Sequence, residues 1–218
     1  IHSTSGALSA KLTPTSFLIT PSGIDRCSIM PRDMVLIDFA SLAQAKAGRG
    51  ARFYEEQGLA PSRAWAAHNA LYQAFPDVRA VMHAHPFHIT SFCMSSVKFQ
   101  SNVIPESYIV LRSVARIGFR ESLKKDLMVD AFRKESPCNV MLVDNDGVVI
   151  KGTSLEQVFD RLEVLEATAN VVLECHSLGN LSLMTEKQMD EIDETWFGGE
   201  ESNGKRKRHS PQTGDSTT

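Results

Sequence analysis

The densest group of residues able to do chemistry is His83-Ala84-His85. In an extended strand, residues i and i+2 project from one face, so both imidazoles can reach a single metal ion. Imidazole pairs suit Zn, Co, Ni or Fe better than Mg or Ca. The plainer reading of the same residues is two strand-end histidines hydrogen-bonded to neighbours. His88 follows after Pro86, but its spacing is out of step with the pair.

The surrounding elements decide whether those imidazoles converge. Val78 to His83 reads as a buried strand, entered after a helix that carries Trp65, Leu71, Tyr72 and Phe75 and ends at Pro76-Asp77. Ser62 is placed to cap that helix, because its hydroxyl can accept from a first-turn N–H. Phe17 to Thr20 and Met34 to Asp38 have strand length, and Lys46 to Gly50 reads as a loop. Val140 to Val143 and Val148 to Ile150 flank Asp144-Asn145-Asp146-Gly147, where Asp-Gly predicts a hairpin with positive φ at the central residues. After Gly152, the stripe Leu155, Val158, Phe159, Leu162, Leu165, Ala169, Val172 and Leu173 predicts a long helix. Ser154 with Gln157, or Thr153 with Glu156, can cap it, and Gly179 can stop it. Thr185 to Trp196 reads as a last, acidic helix. Irregular alternation with one hairpin predicts an α/β fold, a mixed sheet covered by helices.

Length and composition agree with one folded body. The chain has 218 residues, 42% of them hydrophobic, and a net charge of −3, which gives no reason to expect a nucleic-acid partner. No apolar run of about 18 residues predicts a membrane span. Cys27, Cys93, Cys138 and Cys175 form no CxxC pair and read as reduced thiols, which points to the cytoplasm. Residues 1–197 form the expected domain, and 198–218 a disordered polar tail. Within the tail, Lys205 to Arg208 is an import or anion-binding patch, or simply solvated charge.

The order of these segments resembles the class II aldolase/adducin family. Ser5-Gly6-Ala7-Leu8-Ser9 stands for its SGNxS, and Ile19-Thr20-Pro21-Ser22-Gly23 for its ITPSG turn. Pro61-Ser62-Arg63-Ala64 with His68 and Tyr72 is similar to PSSE-xxxH-xxxY, and Pro76 to Pro86 to PDVxAVxHxHP. Asn145-Asp146-Gly147 takes the place of NHG, and Leu178-Gly179 closes the long helix. The resemblance implies a three-layer α/β/α domain around a mixed, largely antiparallel sheet. It also implies a homotetramer with sites between subunits, and a preceding helix that this sequence lacks.

The resemblance implies a divalent metal, Zn by family habit, that polarises a substrate carbonyl and stabilises an enediolate as a carbon–carbon bond breaks. His83 and His85 match two of its ligands, and the third position is Asp146. A carboxylate is competent there, while Asp also favours a turn in its own right. The acid/base glutamate of the family is replaced by Ala64. Glu106 and Tyr108 can compensate, or can be a surface carboxylate and a core-edge phenol. Ala7 replaces the phosphate-binding asparagine, leaving Ser22, Gly23 and Ser62 as donors at a turn and a helix start, with Arg63 adding a bidentate grip or a surface ion pair. The expected activity is a metal-dependent lyase of the aldolase type acting on a small phosphorylated or acidic sugar. The alternatives are a decarboxylase, epimerase or dehydratase of sugar-acid phosphates, and a non-catalytic adducin-like interaction module.

Overall fold

Alternation along Val35-Leu36-Ile37-Asp38-Phe39 buries Val35, Ile37 and Phe39 on one face, and this period-two pattern builds the sheet. The structure is a computed structural model and describes residues 4–56 and 58–198. Its strands are β1 (Ala7–Thr13), β2 (Ser16–Ile19), β3 (Val35–Phe39), β4 (Ala51–Tyr54), β5 (Ala80–Ala84), β6 (Ser113–Ile117), β7 (Cys138–Val143) and β8 (Val148–Gly152). They form one sheet in the order β4-β3-β2-β1-β5-β8-β7-β6, antiparallel except for the β6–β7 pair. β5 therefore lies between β1 and β8, with His83 opposite Ala7 on one side and Val149 on the other.

Helices cover both faces. α1 (Leu42–Ala47), α2 (Trp65–Ala74) and α6 (Lys125–Lys134) pack on the face that carries Phe17, Ile37, Val81 and Met141. α3 (Phe87–Cys93), α4 (Pro105–Leu111) and α7 (Leu155–Leu178) cover the face that carries Met82, Ala84, Val140 and Ile150. α5 (Phe119–Ser122) leads into α6. Each fully buried Ile, Leu or Phe of these two cores stabilises the fold by about 1.5–3 kcal/mol. The layers are the α/β/α arrangement and the mixed, largely antiparallel sheet expected from the sequence. The packing unit that holds them ends at Leu183; a second begins at Met184 and contains α8 (Glu186–Phe197), capped by Thr185 and Gln188. Apart from Gly198, the predicted tail 198–218 lies outside the described residues, and so does the basic run Lys205 to Arg208.

Local readings differ in four places. Ser62 is not the N-cap of α2: that position falls at Ala64, and Ser62 Oγ accepts from Ala64 N–H just before the helix starts. Lys46 is helical, and the loop starts at Gly48 in the left-handed region. In the β7–β8 turn the positive φ is at Asn145 (55°), not at Asp146 or Gly147. On α7, Val158, Leu165, Ala169 and Val172 are buried as predicted, but Leu155, Phe159 and Leu173 are exposed. The predicted stops and starts of α7 hold: Ser154 Oγ accepts from Gln157 N–H, and Gly179 is left-handed.

Candidate metal centre

β5 ends at the site. His83 is the penultimate residue of the strand, and His85 is the first beyond it, so the two rings share a side with centroids 5.0 Å apart. The turn between β7 and β8 brings Asp146 across to them. This works because β8 pairs with β5, placing Val148 opposite Ala84. Nε2 of His85 meets Asp146 Oδ1 at 2.9 Å, and Nε2 of His83 lies 3.1 Å from Oδ2. The three side chains are each about a quarter exposed (24%), accessible to a ligand yet partly desolvated.

Two glycines make this convergence possible. A Cβ on Gly147 would stand 2.3 Å from Ala84 O and 2.7 Å from His85 Cδ2. A Cβ on Gly6, at φ +84°, would stand 2.6 Å from His83 O. The backbone on either side of β5 thus approaches closer than any side chain permits. Cys93 secures the turn from the α3 side: its Sγ donates to Gly147 O at 3.3 Å, and its carbonyl accepts from Asn145 N–H at 3.0 Å. Burial pushes the Cys93 thiol up to about 11, so it is a structural donor rather than a nucleophile.

The electrostatics favour a cation. The adjoining imidazoles, His83 first and then His85, hold the Asp146 carboxyl far below the ordinary carboxylate range, and burial opposes this only in part. The His85 contact is well aligned, whereas buried Nε2 of His83 faces the carboxylate without an aligned hydrogen bond. Two imidazole nitrogens and one carboxylate oxygen, all within 4.8 Å of one another, can therefore turn toward a single ion. Such a donor set fits a divalent transition metal and leaves coordination positions for substrate or water.

Behind His83 lies a buried polar group. Ser9 Oγ bonds both His68 Nδ1 and Tyr72 Oη at 2.7 Å. Burial, followed by the nearby His83 charge, lowers the His68 pKa to about 3, so this imidazole is neutral. The motif letters contained all three residues, but their mutual contact depends on α2 lying over β1 and β5, which residue spacing does not reveal.

The expected anion-binding residues gather at a neighbouring pair of loops. Pro21 and Pro61 form a bridge, Ser22 N–H donates to Ala60 O at 2.8 Å, and Ser62 N–H donates to Thr20 O. Gly23 is left-handed (φ +79°) and, like Ser22 and Arg63, exposed. Ser62 is buried, with Oγ turned toward Ala64 N–H at 3.4 Å. Arg26, which the sequence reading missed, ties this loop to the first segment by donating to Pro21 O at 2.8 Å and Gly6 O at 2.6 Å. Glu106 and Tyr108 are not in the three-residue donor group. Glu106 is exposed in the first turn of α4, and Tyr108 lies under the Arg112 guanidinium, 5.0 Å from its ring centre.

A family model described as Class II Aldolase and Adducin N-terminal domain matches residues 1–173. A 3-oxo-tetronate 4-phosphate decarboxylase from Pectobacterium atrosepticum is 27% identical over 119 residues, covering 53% of this chain and 55% of that protein. A methylthioribulose-1-phosphate dehydratase from the same species is 29% identical over 112 residues, covering 51% of this chain and 48% of that one. The matched segment thus spans about half the length of these curated relatives. Among solved structures, an L-fuculose 1-phosphate aldolase from Glaciozyma antarctica superposes with a TM-score of 0.73 at 18% identity. That match covers 89% of this chain and 73% of the aldolase, and it establishes a shared fold.

Proposed function

The chain belongs to the class II aldolase and adducin N-terminal domain family, and from that premise we propose that it is a metal-dependent lyase acting on a small phosphorylated sugar. The observation that carries this reading is the convergence of His83 Nε2, His85 Nε2 and the Asp146 carboxylate on one point. These three residues would hold a divalent cation, zinc by preference for an imidazole-rich donor set. A cation bound there supplies Lewis-acid polarisation of a substrate carbonyl oxygen. The reaction assigned first is cleavage of the carbon–carbon bond of a phosphorylated ketose.

The chain's own groups take the other roles. The Ser22-Gly23 turn, Ser62 and Arg63 bind the phosphate, with the serine hydroxyls, the Gly23 backbone N–H and the guanidinium as donors. Ala64 has no proton to give, so Glu106 and Tyr108 are assigned proton transfer at the substrate. The exposure of Glu106 in the single chain suits a site completed in a homo-oligomer, a tetramer by family resemblance. Among the described residues no helix is long and apolar enough to cross a membrane. Cytoplasmic residence is part of the same proposal, in line with four free thiols.

A second reading has its own support. The two curated relatives are named for decarboxylation and dehydration, and the missing carboxylate at Ala64 removes the group on which aldol chemistry relies in the family. The test is to assay zinc- and cobalt-loaded protein with ketose 1-phosphates, 3-oxo-tetronate 4-phosphate and methylthioribulose 1-phosphate. Release of an aldehyde with dihydroxyacetone phosphate supports the first reading. Release of carbon dioxide or water without aldol cleavage replaces it with the second. Bound metal without turnover of any substrate leaves an adducin-like interaction module.

A further inference from the structure

We propose that Tyr72, Ser9 and His68 form a one-way hydrogen-bond relay that fixes His68 as its Nε2–H tautomer against the back of His83, making His68 a positioning residue for the metal centre. The proposal rests on the metal-centre reading above for its purpose, but not for its geometry.

Register places the residues. β5 carries Val81 and His83 on the face covered by α2, because alternate residues share a side. Tyr72 on the second turn of α2 shares a buried core with Val81 and bonds Ser9, the residue opposite Val81 on β1, which places that turn over Val81. One helical turn spans about 5.4 Å, and two strand residues about 6.6 Å. His68, one turn before Tyr72 on α2, therefore lies toward His83, two residues beyond Val81 on β5. From the far side, Ser9 on β1 stands opposite Val81 and supplies the oxygen between the ring and the phenol.

Counting hydrogens gives the direction. If Tyr72 O–H donates to Ser9 Oγ, and Ser9 O–H donates to His68 Nδ1, every hydroxyl hydrogen is used. Only His68 Nε2–H then lacks a partner among the described residues, and that nitrogen is buried and unpaired. The reverse order has His68 Nδ1–H donating to Ser9 and Ser9 donating to Tyr72. It leaves the phenol hydrogen without an acceptor and the His68 Nε2 lone pair unused as well. Buried polar groups are paired wherever geometry allows, so the first order prevails. A ring pinned through Nδ1 cannot flip or swing away, and it holds the His83 imidazole where its Nε2 faces Asp146. The same cause connects the Ser9 hydroxyl, one strand away, to a metal it does not touch.

The test uses the full chain and reads two quantities. Long-range nitrogen–proton NMR of the metal-free protein reports the tautomer of His68 and the ring signals of His83. Cobalt titration followed by visible absorption reports affinity. The wild type is expected to show the Nε2–H tautomer. Ser9→Ala should mix the His68 tautomers, shift the His83 ring signals and raise the cobalt Kd about tenfold to a hundredfold. Tyr72→Phe, which keeps the ring and the Ser9 hydroxyl, should do the same more weakly. A wild-type His68 protonated at Nδ1, or His83 signals unchanged in Ser9→Ala, overturns the relay. If the wild type binds no cobalt, the metal reading fails, and the NMR arm still judges the relay by itself.

Discussion

Gly147 presses against Ala84 so closely that a Cβ there would lie 2.3 Å from the Ala84 carbonyl oxygen. The obstacle is backbone, which cannot swing aside as a long side chain can. This contact lets the β7–β8 turn deliver the Asp146 carboxylate onto both imidazoles. It explains the glycine by close approach rather than by handedness, since the positive φ in the turn belongs to Asn145.

Gly147→Ala is accordingly expected to destabilise the protein by about 1–3 kcal/mol, the usual cost of overpacking. It should also weaken metal binding by moving Asp146. Urea unfolding and cobalt titration of the same sample check both effects. A substitution neutral in both measurements would show that the turn relaxes freely.

His68 sets an acid limit on stability. Its folded pKa of about 3 lies below the ordinary value of 6.5, so between these pH values the unfolded chain binds a proton that the folded chain refuses. Stability from this group is therefore full above pH 6.5 and is lost as pH falls toward 3, by up to about 1.4 kcal/mol per pH unit. The lowered Asp146 pKa acts in the same direction but only below the ordinary carboxylate value near 3.8. Unfolding free energies measured at pH 7, 6 and 5 should decline already above the carboxylate range, and His68→Asn should flatten that decline.

The thiols should differ in reactivity by burial. Cys27 is exposed, whereas Cys93 and Cys138 are buried with thiols pushed up in pKa. Iodoacetamide followed by mass spectrometry is expected to label Cys27 readily in the native protein. Cys93 and Cys138 should react only in denaturant. Native labelling of Cys93 would mean that the Gly147 turn opens.

The phosphate assignment separates binding from folding. Arg63 is exposed, so Arg63→Ala should change stability by less than about 0.5 kcal/mol. It should raise KM about tenfold for a phosphorylated substrate, the loss of one charge-assisted contact of roughly 1.5–3 kcal/mol at its lower end. An unphosphorylated analogue should be indifferent to the change.

Much of this was legible in the residues, for definable reasons. The His83/His85 pair follows from the two-residue period of a strand, and the Ser154 and Gly179 boundaries of α7 from local capping chemistry. The fold class followed from ordered motifs. What local reading could not see is long-range pairing. Ser62 has the chemistry of a helix cap, but α2 starts later and its N-cap position falls at Ala64. The approach of Asp146 to both imidazoles depends on β8 pairing with β5, which its place in a turn motif does not reveal. Short helices such as α3 and α4 have too few turns to show a periodic stripe. Leu155 and Phe159 fit the stripe of α7 yet lie exposed near its start, because a pattern of apolar residues does not say where the covering layer ends. The Ser9–His68–Tyr72 contact joins three elements and has no signature in any one of them.

The central claim is that His83, His85 and Asp146 form a metal centre. Metal content by plasma mass spectrometry, measured on full-length wild type and on His85→Ala after zinc loading and desalting, tests it most directly. The wild type should retain about one zinc per chain, and His85→Ala should lose more than the tenfold to hundredfold in affinity that removal of an outer partner costs. A wild type without stoichiometric metal, or a His85→Ala variant that retains the same amount, would contradict the account.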